Sequence, residues 1–277
     1  MLTATIDQGH LDYLPCSLVQ PNSANRCDNP EDANWTSPIG NWAWEGSLFG
    51  APVAGPGLTM IDATYAYGFG PLRGRLPPDT TGGFPGAYYS SAYNAAQGAA
   101  GLASRQHRDQ GIVNLEFMLA NSQSGPLSWW ESSSAPDPIP PGVGRHPSAG
   151  QGSSPHAWGM ARSDKVLLDS LAAQKSDGTL VVGRGVPPAW LDRGAPISVS
   201  RFPTTAGHRV TITLSSVGRS VSLSLRGTLP GGPVLLQLPS FVHNIANTST
   251  GTVDRATGTV TLAPTVRHVT VNLQRAP

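Results

Sequence analysis

The sequence predicts an α+β protein with two domains, a helical and loop-rich region over residues 1–175 and an antiparallel β-sandwich over residues 176–277. Its 277 residues are enough for two ordinary domains. Near residue 176, helical patches between long Gly/Pro/Trp-rich loops give way to β-branched residues that alternate with polar ones. The chain contains 32 Gly and 26 Pro, yet seven Trp and 39% hydrophobic residues argue against disorder.

Three helices are expected in the first region. They cover residues 85–105, where an Ala-rich run follows a proline, residues 112–121, and residues 155–175. The third helix has an i, i+3, i+4 stripe formed by Val166, Leu167, Ser170 and Leu171. Long loops are expected over residues 15–54, 64–85 and 122–154, and they contain most of the Trp residues.

The second region is expected to contain about seven short strands, because apolar and polar residues alternate there with period two. The predicted strands cover residues 180–182, 197–202, 210–214, 221–225, 234–238, 259–262 and 269–273. Turn signals such as Pro230-Gly231-Gly232 separate them. Regular spacing of this kind favours an antiparallel β-sandwich.

The charge composition excludes some partners. Only 13% of the residues are charged and the formal net charge is +1, so neither nucleic acid nor an anionic membrane is an expected partner. No window reaches the ~18 apolar residues of a membrane span, and the start, MLTATIDQGH, shows no signal peptide. The scattered His residues predict no metal site, and no cofactor is expected. Cys16 and Cys27 could form a disulfide or remain reduced thiols.

Residues 125–159 are the most informative segment for chemistry. Trp129 and Trp130 precede Glu131, and after a polar loop His156-Ala-Trp158-Gly opens the third predicted helix. Aromatic rings stack on the C–H faces of sugars, and a desolvated Glu has a raised pKa that suits proton exchange near neutral pH. The alternative is an aromatic loop that packs over the helices and carries an incidental surface Glu.

The order of these elements resembles the C-terminal part of inverting glycosidases built on an (α/α)6 toroid, the α-L-rhamnosidases among them. The residues that carry the resemblance span about 85–215 and include GVPPAWL at 185–191 and ISVSRFPT at 197–204. The resemblance implies a partial (α/α) toroid followed by a β-sandwich. A full toroid needs about twelve helices, or at least ~200–250 residues. The chain is therefore expected to be a fragment or a reduced homologue, secreted if the full-length chain has a signal peptide.

The resemblance also implies site residues. Glu131 becomes the general base that activates water, Trp129 and Trp130 become walls of the sugar site, and His156 a ligand to a sugar hydroxyl. For His156, the alternative is a residue at a helix N-terminus that contacts its own loop. Trp158 belongs either to the substrate site or to the core, and Tyr88 could face the cleft at the start of its predicted helix.

A second cluster, over residues 27–50, supplies Trp42, Trp44 and Glu45. Glycoside hydrolysis requires two carboxylates, about 6.5–9.5 Å apart when configuration is inverted. Glu45 is the candidate acid or a substrate ligand. It departs from the family pattern, in which the acid lies much further upstream of the base, so the acid could lie outside this polypeptide.

The sequence thus predicts a glycoside hydrolase-like protein that cleaves O-glycosidic bonds in an oligosaccharide or glycoside by two-carboxylate acid/base catalysis. Two alternatives remain open. One is a non-catalytic carbohydrate-binding protein, and the other is a structural extracellular protein whose aromatic loops only pack.

Overall fold

The computed structural model describes residues 88–90, 98, 101–102, 107–120, 123–134, 150–175 and 177–277. These residues form a mixed α+β protein in which strand exceeds helix and most strand pairs are antiparallel, which confirms the predicted α+β class. The chain divides into two compact units, Met1–Leu167 and Leu168–Pro277. The predicted residues Cys16, Cys27, Trp42, Trp44 and Glu45 lie outside the described part.

In its described residues, the first unit contains two small sheets, one helix of 13 residues, the start of a further helix, and helical residues at positions 98, 101 and 102. Its elements are β1 (Tyr88–Ser90), α1 (Arg108–Ala120), β2 (Gln123–Gly125), β3 (Ser128–Trp129), β4 (Ser132–Ser134), β5 (Gly150–Gln151) and the start of α2 (Ala157–Leu171). One sheet has the strand order β1-β4-β5, and the other is the β2–β3 hairpin. The predicted loop over residues 122–154 was therefore wrong in part, because its described residues include four strands.

The sequence predicts a helix over residues 85–105, but in the structure the first described residues of this range are a strand. Residues 88–90 form β1, and helix is found further along, at Gly98, Gly101 and Leu102. Strand β1 pairs antiparallel with β4, and this ladder supplies the backbone hydrogen bonds that a helix would otherwise have made. Consecutive tyrosines also suit a strand. The second predicted helix is confirmed as α1, which begins at Arg108.

Glycines bring α1 close to the helical residues before it. A Cβ added at Gly101 would lie 2.8 Å from the Gly111 amide nitrogen, and one added at Gly111 would lie 2.5 Å from the Leu102 nitrogen. Neither position tolerates a side chain without a backbone shift. The need for close approach explains a glycine inside α1, where it costs about 1 kcal/mol relative to alanine.

The third predicted helix is confirmed as α2, but it ends earlier than expected. The carbonyls of Ser170 and Leu171 accept hydrogen bonds from the Gly185 and Gly183 amides, at 3.0 and 2.9 Å. Residues 172–174 then form a strand. Val166 and Ser170 of the predicted stripe are fully buried.

The second unit is built from ten strands in two five-stranded sheets. The strands are β6 (Ala172–Gln174), β7 (Leu180–Val182), β8 (Ile197–Pro203), β9 (Arg209–Val217), β10 (Ser220–Gly227), β11 (Val234–Gln237), β12 (Ile245–Thr248), β13 (Thr252–Asp254), β14 (Thr259–Leu262) and β15 (His268–Leu273). The unit also contains the short helix α3 (Pro188–Leu191). The sheet orders are β12-β15-β10-β9-β8 and β13-β14-β11-β7-β6.

The two sheets share one hydrophobic core. The inward positions of β9, β10 and β15 alternate with polar residues as predicted, and the core residues they contribute are Val210, Ile212, Leu214, Val221, Leu223, Leu225, Val269, Val271 and Leu273. The facing sheet contributes Leu180, Val182, Val234, Leu236, Val260 and Leu262. This is the two-layer arrangement that period-two alternation predicts.

Two features of the second unit depart from the prediction. Strands β6, β12 and β13 were not expected, and β7 pairs parallel with β11, with Leu180 opposite Val234. The Gln174 side chain also joins β6 to the segment after β8, because its Oε1 accepts the Thr205 amide at 2.8 Å and its Nε2 donates to the Thr205 hydroxyl at 3.0 Å.

Candidate functional site

Strand pairing in the first unit brings together segments that are far apart in the sequence. Residues of β4 pair with β1 on one side and with β5 on the other. Beyond the β4–β5 pair, the backbone segments 129–131 and 153–156 continue side by side. The Glu131 amide donates to the Ser153 carbonyl at 3.0 Å, and the His156 amide donates to the Trp129 carbonyl at 3.0 Å. Residues 129–131 therefore lie beside the entry to α2.

Glu131 is exposed, and a backbone amide donates a hydrogen bond to its carboxylate. Its Oε2 accepts a hydrogen bond from the Ser153 amide at 3.3 Å. The neighbouring Gly152 has a φ of 79°, and a Cβ there would collide with the same oxygen. A glycine is thus required next to the carboxylate on two grounds, conformation and space. The expected desolvation of Glu131 by two indoles is absent, since the residue faces solvent.

The two tryptophans before Glu131 differ from each other in exposure. The side chain of Trp129 is 1% exposed, so its ring packs in the interior of the described structure, and its role as a wall of a sugar site stays a prediction. Trp130 is half-buried. Its Nε1 is buried and has no hydrogen-bond partner in the described part of the chain.

His156 is the residue before α2, and its side chain caps that helix. The imidazole Nδ1 accepts a hydrogen bond from the Gly159 amide at 3.2 Å, and the His156 carbonyl accepts the Met160 amide at 2.9 Å. His156 thus lies at a helix N-terminus, as the alternative had it, but its Nδ1 contacts the first turn of the helix, where that alternative had expected a contact with the loop. Because Nδ1 acts as an acceptor, the neutral ring carries its proton on Nε2, which leaves Nε2–H as a donor.

Trp158 is the exposed indole of this region, with 43% of its surface accessible. The His156 ring approaches it in a T-shaped arrangement with the centroids 6.0 Å apart. The guanidinium carbon of Arg162, a buried residue, lies 5.1 Å from the Trp158 ring centroid. The sequence interpretation missed Arg162, although its i, i+4 spacing from Trp158 is a usable signal for a pair on one helix face.

Tyr88 lies on β1 and not at a helix start. Its backbone is in register with Ser134 of β4, so the prediction that it faces a cleft from the beginning of a helix was wrong in its structural premise. The sheet nevertheless places Tyr88 on a strand next to the segment that follows Glu131.

The second unit contains a buried ion pair. The Arg184 guanidinium and the Asp169 carboxylate approach to 3.5 Å, and Arg184 Nε donates to the Asp169 backbone carbonyl at 3.2 Å. Burial lowers the pKa of Arg184, and the Asp169 carboxylate partly opposes that shift. The pair joins the last turn of α2 to the loop after β7, so its role is structural.

Within the described ranges, no three His, Cys, Asp or Glu side chains are grouped to hold a metal ion. The same part of the chain contains no helix long and apolar enough to span a membrane. No protein-family model matches this chain, and no curated protein matches it either. The functional interpretation therefore depends on the residues around Glu131 and the entry to α2.

Proposed function

We propose that the chain is a glycoside hydrolase-like protein that acts on O-glycosidic bonds, with Glu131 as the general base. One observation carries this proposal. The backbone pairing of residues 129–131 with residues 153–156 brings a carboxylate, an imidazole donor and an exposed indole into one region of the surface. These are the groups that water activation, sugar hydroxyl binding and sugar stacking require.

The geometry suits a base. A general base must contact the water that it activates, and an exposed carboxylate does so. The Ser153 amide holds one oxygen of Glu131, which fixes the direction of the carboxylate. His156 is proposed to donate from Nε2 to a sugar hydroxyl, and Trp158 to stack on the sugar. Glu45 stays the proposed acid and lies outside the described residues, as do Trp42 and Trp44.

We also propose that the first unit is part of an (α/α) toroid. The close approach of Gly98, Gly101 and Gly111 supports this, because two consecutive helices that pack tightly are the repeating unit of such a fold. The proposed substrate is a neutral oligosaccharide or glycoside, and the proposed location is extracellular.

A second candidate is a non-catalytic carbohydrate-binding protein. The burial of Trp129 and the exposure of Glu131 favour it, because a hydrolase normally encloses its catalytic carboxylates whereas a binding surface does not. In this interpretation Trp158 is the stacking residue and Glu131 accepts hydrogen bonds from sugar hydroxyls.

The Glu131→Gln variant distinguishes the two functions. Hydrolysis would be measured with a panel of p-nitrophenyl α- and β-glycosides and neutral oligosaccharides. We expect kcat to fall by about 10²–10⁴ while glycan binding persists. Glu116→Gln is the matched control, since Glu116 is another exposed Glu in the first unit and should keep the full rate. An unchanged rate in Glu131→Gln would reject the base, and wild-type binding without hydrolysis would favour the second candidate.

A further inference from the structure

The turn between β2 and β3 contains an unusual residue. Pro126 and Leu127 form a two-residue loop, and Leu127 has a φ of 54°. This left-handed backbone region is normally occupied in tight hairpins by Gly, which has no Cβ, or by Asn, whose short polar side chain is tolerated there, whereas most other side chains are strained. The chain therefore places a leucine where glycine would be the relaxed choice.

Packing of the leucine side chain does not offset this strain, because Leu127 is 54% exposed. The hairpin has its own stabilising contacts, including a hydrogen bond of 3.1 Å between the hydroxyls of Ser124 and Ser128. This hydrogen bond does not require an aliphatic group at the turn. A residue that is both strained and apolar in solvent conflicts with local rules, and such conflicts concentrate at functional sites.

The turn lies close to the proposed site along the chain. Four residue steps separate Leu127 from Glu131, which limits the distance between their Cα atoms to about 14 Å. Leu127 is thus near enough to meet a substrate at Glu131, and its aliphatic group can contact C–H bonds but cannot act on the bond that is cleaved. It is a candidate for contact with a neighbouring sugar unit.

We infer that Leu127 is a specificity-determining residue that contacts the C–H face of the sugar unit next to the one bound beside Glu131. This inference depends on the proposed carbohydrate site. It predicts a preference for oligosaccharides over monosaccharides that depends on one side chain in a turn.

The test compares wild type with Leu127→Gly on immobilised neutral mono-, di- and oligosaccharides. Glycine removes the strain and the side chain together. We expect the unfolding equilibrium constant to fall about fivefold, because the strain is relieved. At the same time, oligosaccharide binding should weaken about tenfold, with monosaccharide binding unchanged. A residue with a purely structural role would not produce greater stability and weaker binding together.

His243→Gly is the matched control, because His243 is exposed and has a φ of 53° in the second unit. It should gain stability and bind glycans like wild type. Leu127→Asn, which tolerates the same backbone region, gives a second variant if glycine impairs folding. Equal oligosaccharide binding by wild type and both Leu127 variants would overturn the inference, as would reduced stability of Leu127→Gly or no glycan binding by wild type. A wild type that binds but does not hydrolyse, with the Leu127 effect intact, would reject the hydrolase alone.

Discussion

Breaking the buried ion pair between Asp169 and Arg184 should destabilise the second unit strongly. Asp169 is 2% exposed and Arg184 is 8% exposed. At their separation of 3.5 Å, the attraction is about 5 kcal/mol for an effective dielectric constant of about 20. Asp169→Asn keeps the shape but leaves a buried guanidinium without its counter-charge. We expect the free energy of unfolding to fall by about 3–5 kcal/mol.

Arg184→Met should cost as much or more, because it also removes the hydrogen bond from Nε to the Asp169 carbonyl. The double variant should be less destabilised than the sum of the two single variants, since the attraction between the two charges is lost only once. Urea unfolding followed by circular dichroism measures all four proteins. With a slope of about 1–3 kcal/mol per M, each single variant should lower the midpoint by about 1 M or more. Single variants that each cost under about 1 kcal/mol and add without coupling would refute the reasoning.

The pair has a defined pH dependence. Burial lowers the pKa of Arg184, so the unfolded chain binds this proton more tightly than the folded chain does. The contribution of this group to the free energy of unfolding therefore rises with pH, but only in strongly alkaline solution where the guanidinium begins to lose its proton. The mutational costs should consequently be equal at pH 6 and pH 8.

Three further predictions concern the cap, the helix contact and a turn. His156→Ala should lower the free energy of unfolding by about 1 kcal/mol, because the helix cap is lost, whereas His156→Asn should keep the cap. Both variants lose the Nε2 donor. Equal losses of stability in urea would show that His156 does not act as a cap. Gly111→Ala should destabilise the first unit by about 1–3 kcal/mol although alanine favours helix, and a gain in melting temperature would show that the close contact is not needed. A hydrogen bond from the Thr179 amide lowers the pKa of the Asp177 carboxylate, and the Thr179 side chain and the Lys175 charge lower it further. The stability that Asp177 adds is therefore present above the unfolded pKa of 3.8 and is lost as pH falls through the lower folded pKa. Asp177→Ala should therefore match wild type only in acid, and a difference in unfolding midpoint that persists there would argue against it.

The sequence predicts the central strands and the edge strand β8 well, but it misses the other three edge strands, β6, β12 and β13. Strands β9, β10 and β15 are readable because each has one fully buried face, which forces strict alternation. By contrast, β12 and β13 are short and lie at sheet edges, where one or two apolar residues suffice. The sequence Ala-Ala-Gln of β6 favours a helix because alanine is the best helix former, but pairing with β7 overrides that preference.

The site could be predicted only in part. Local sequence shows that Glu131 and His156 have suitable chemistry, but not that backbone hydrogen bonds join their segments. Nor does it show that Trp129 is buried while Trp158 is exposed, because both are aromatic residues next to polar ones. Burial depends on what the remote chain places over each ring, and residue type alone does not determine it.

The parallel pairing of β7 with β11 limits where the second unit can be cut. The chain forms β8, β9 and β10 of the other sheet before it returns to pair with β7. A shortened protein that starts at β8 would lack β7 and so expose the edge of β11 that pairs with it, and an unpaired strand edge promotes aggregation. A soluble, separately expressed sandwich should therefore begin before Leu168, because Leu168 and Leu171 also pack against its core.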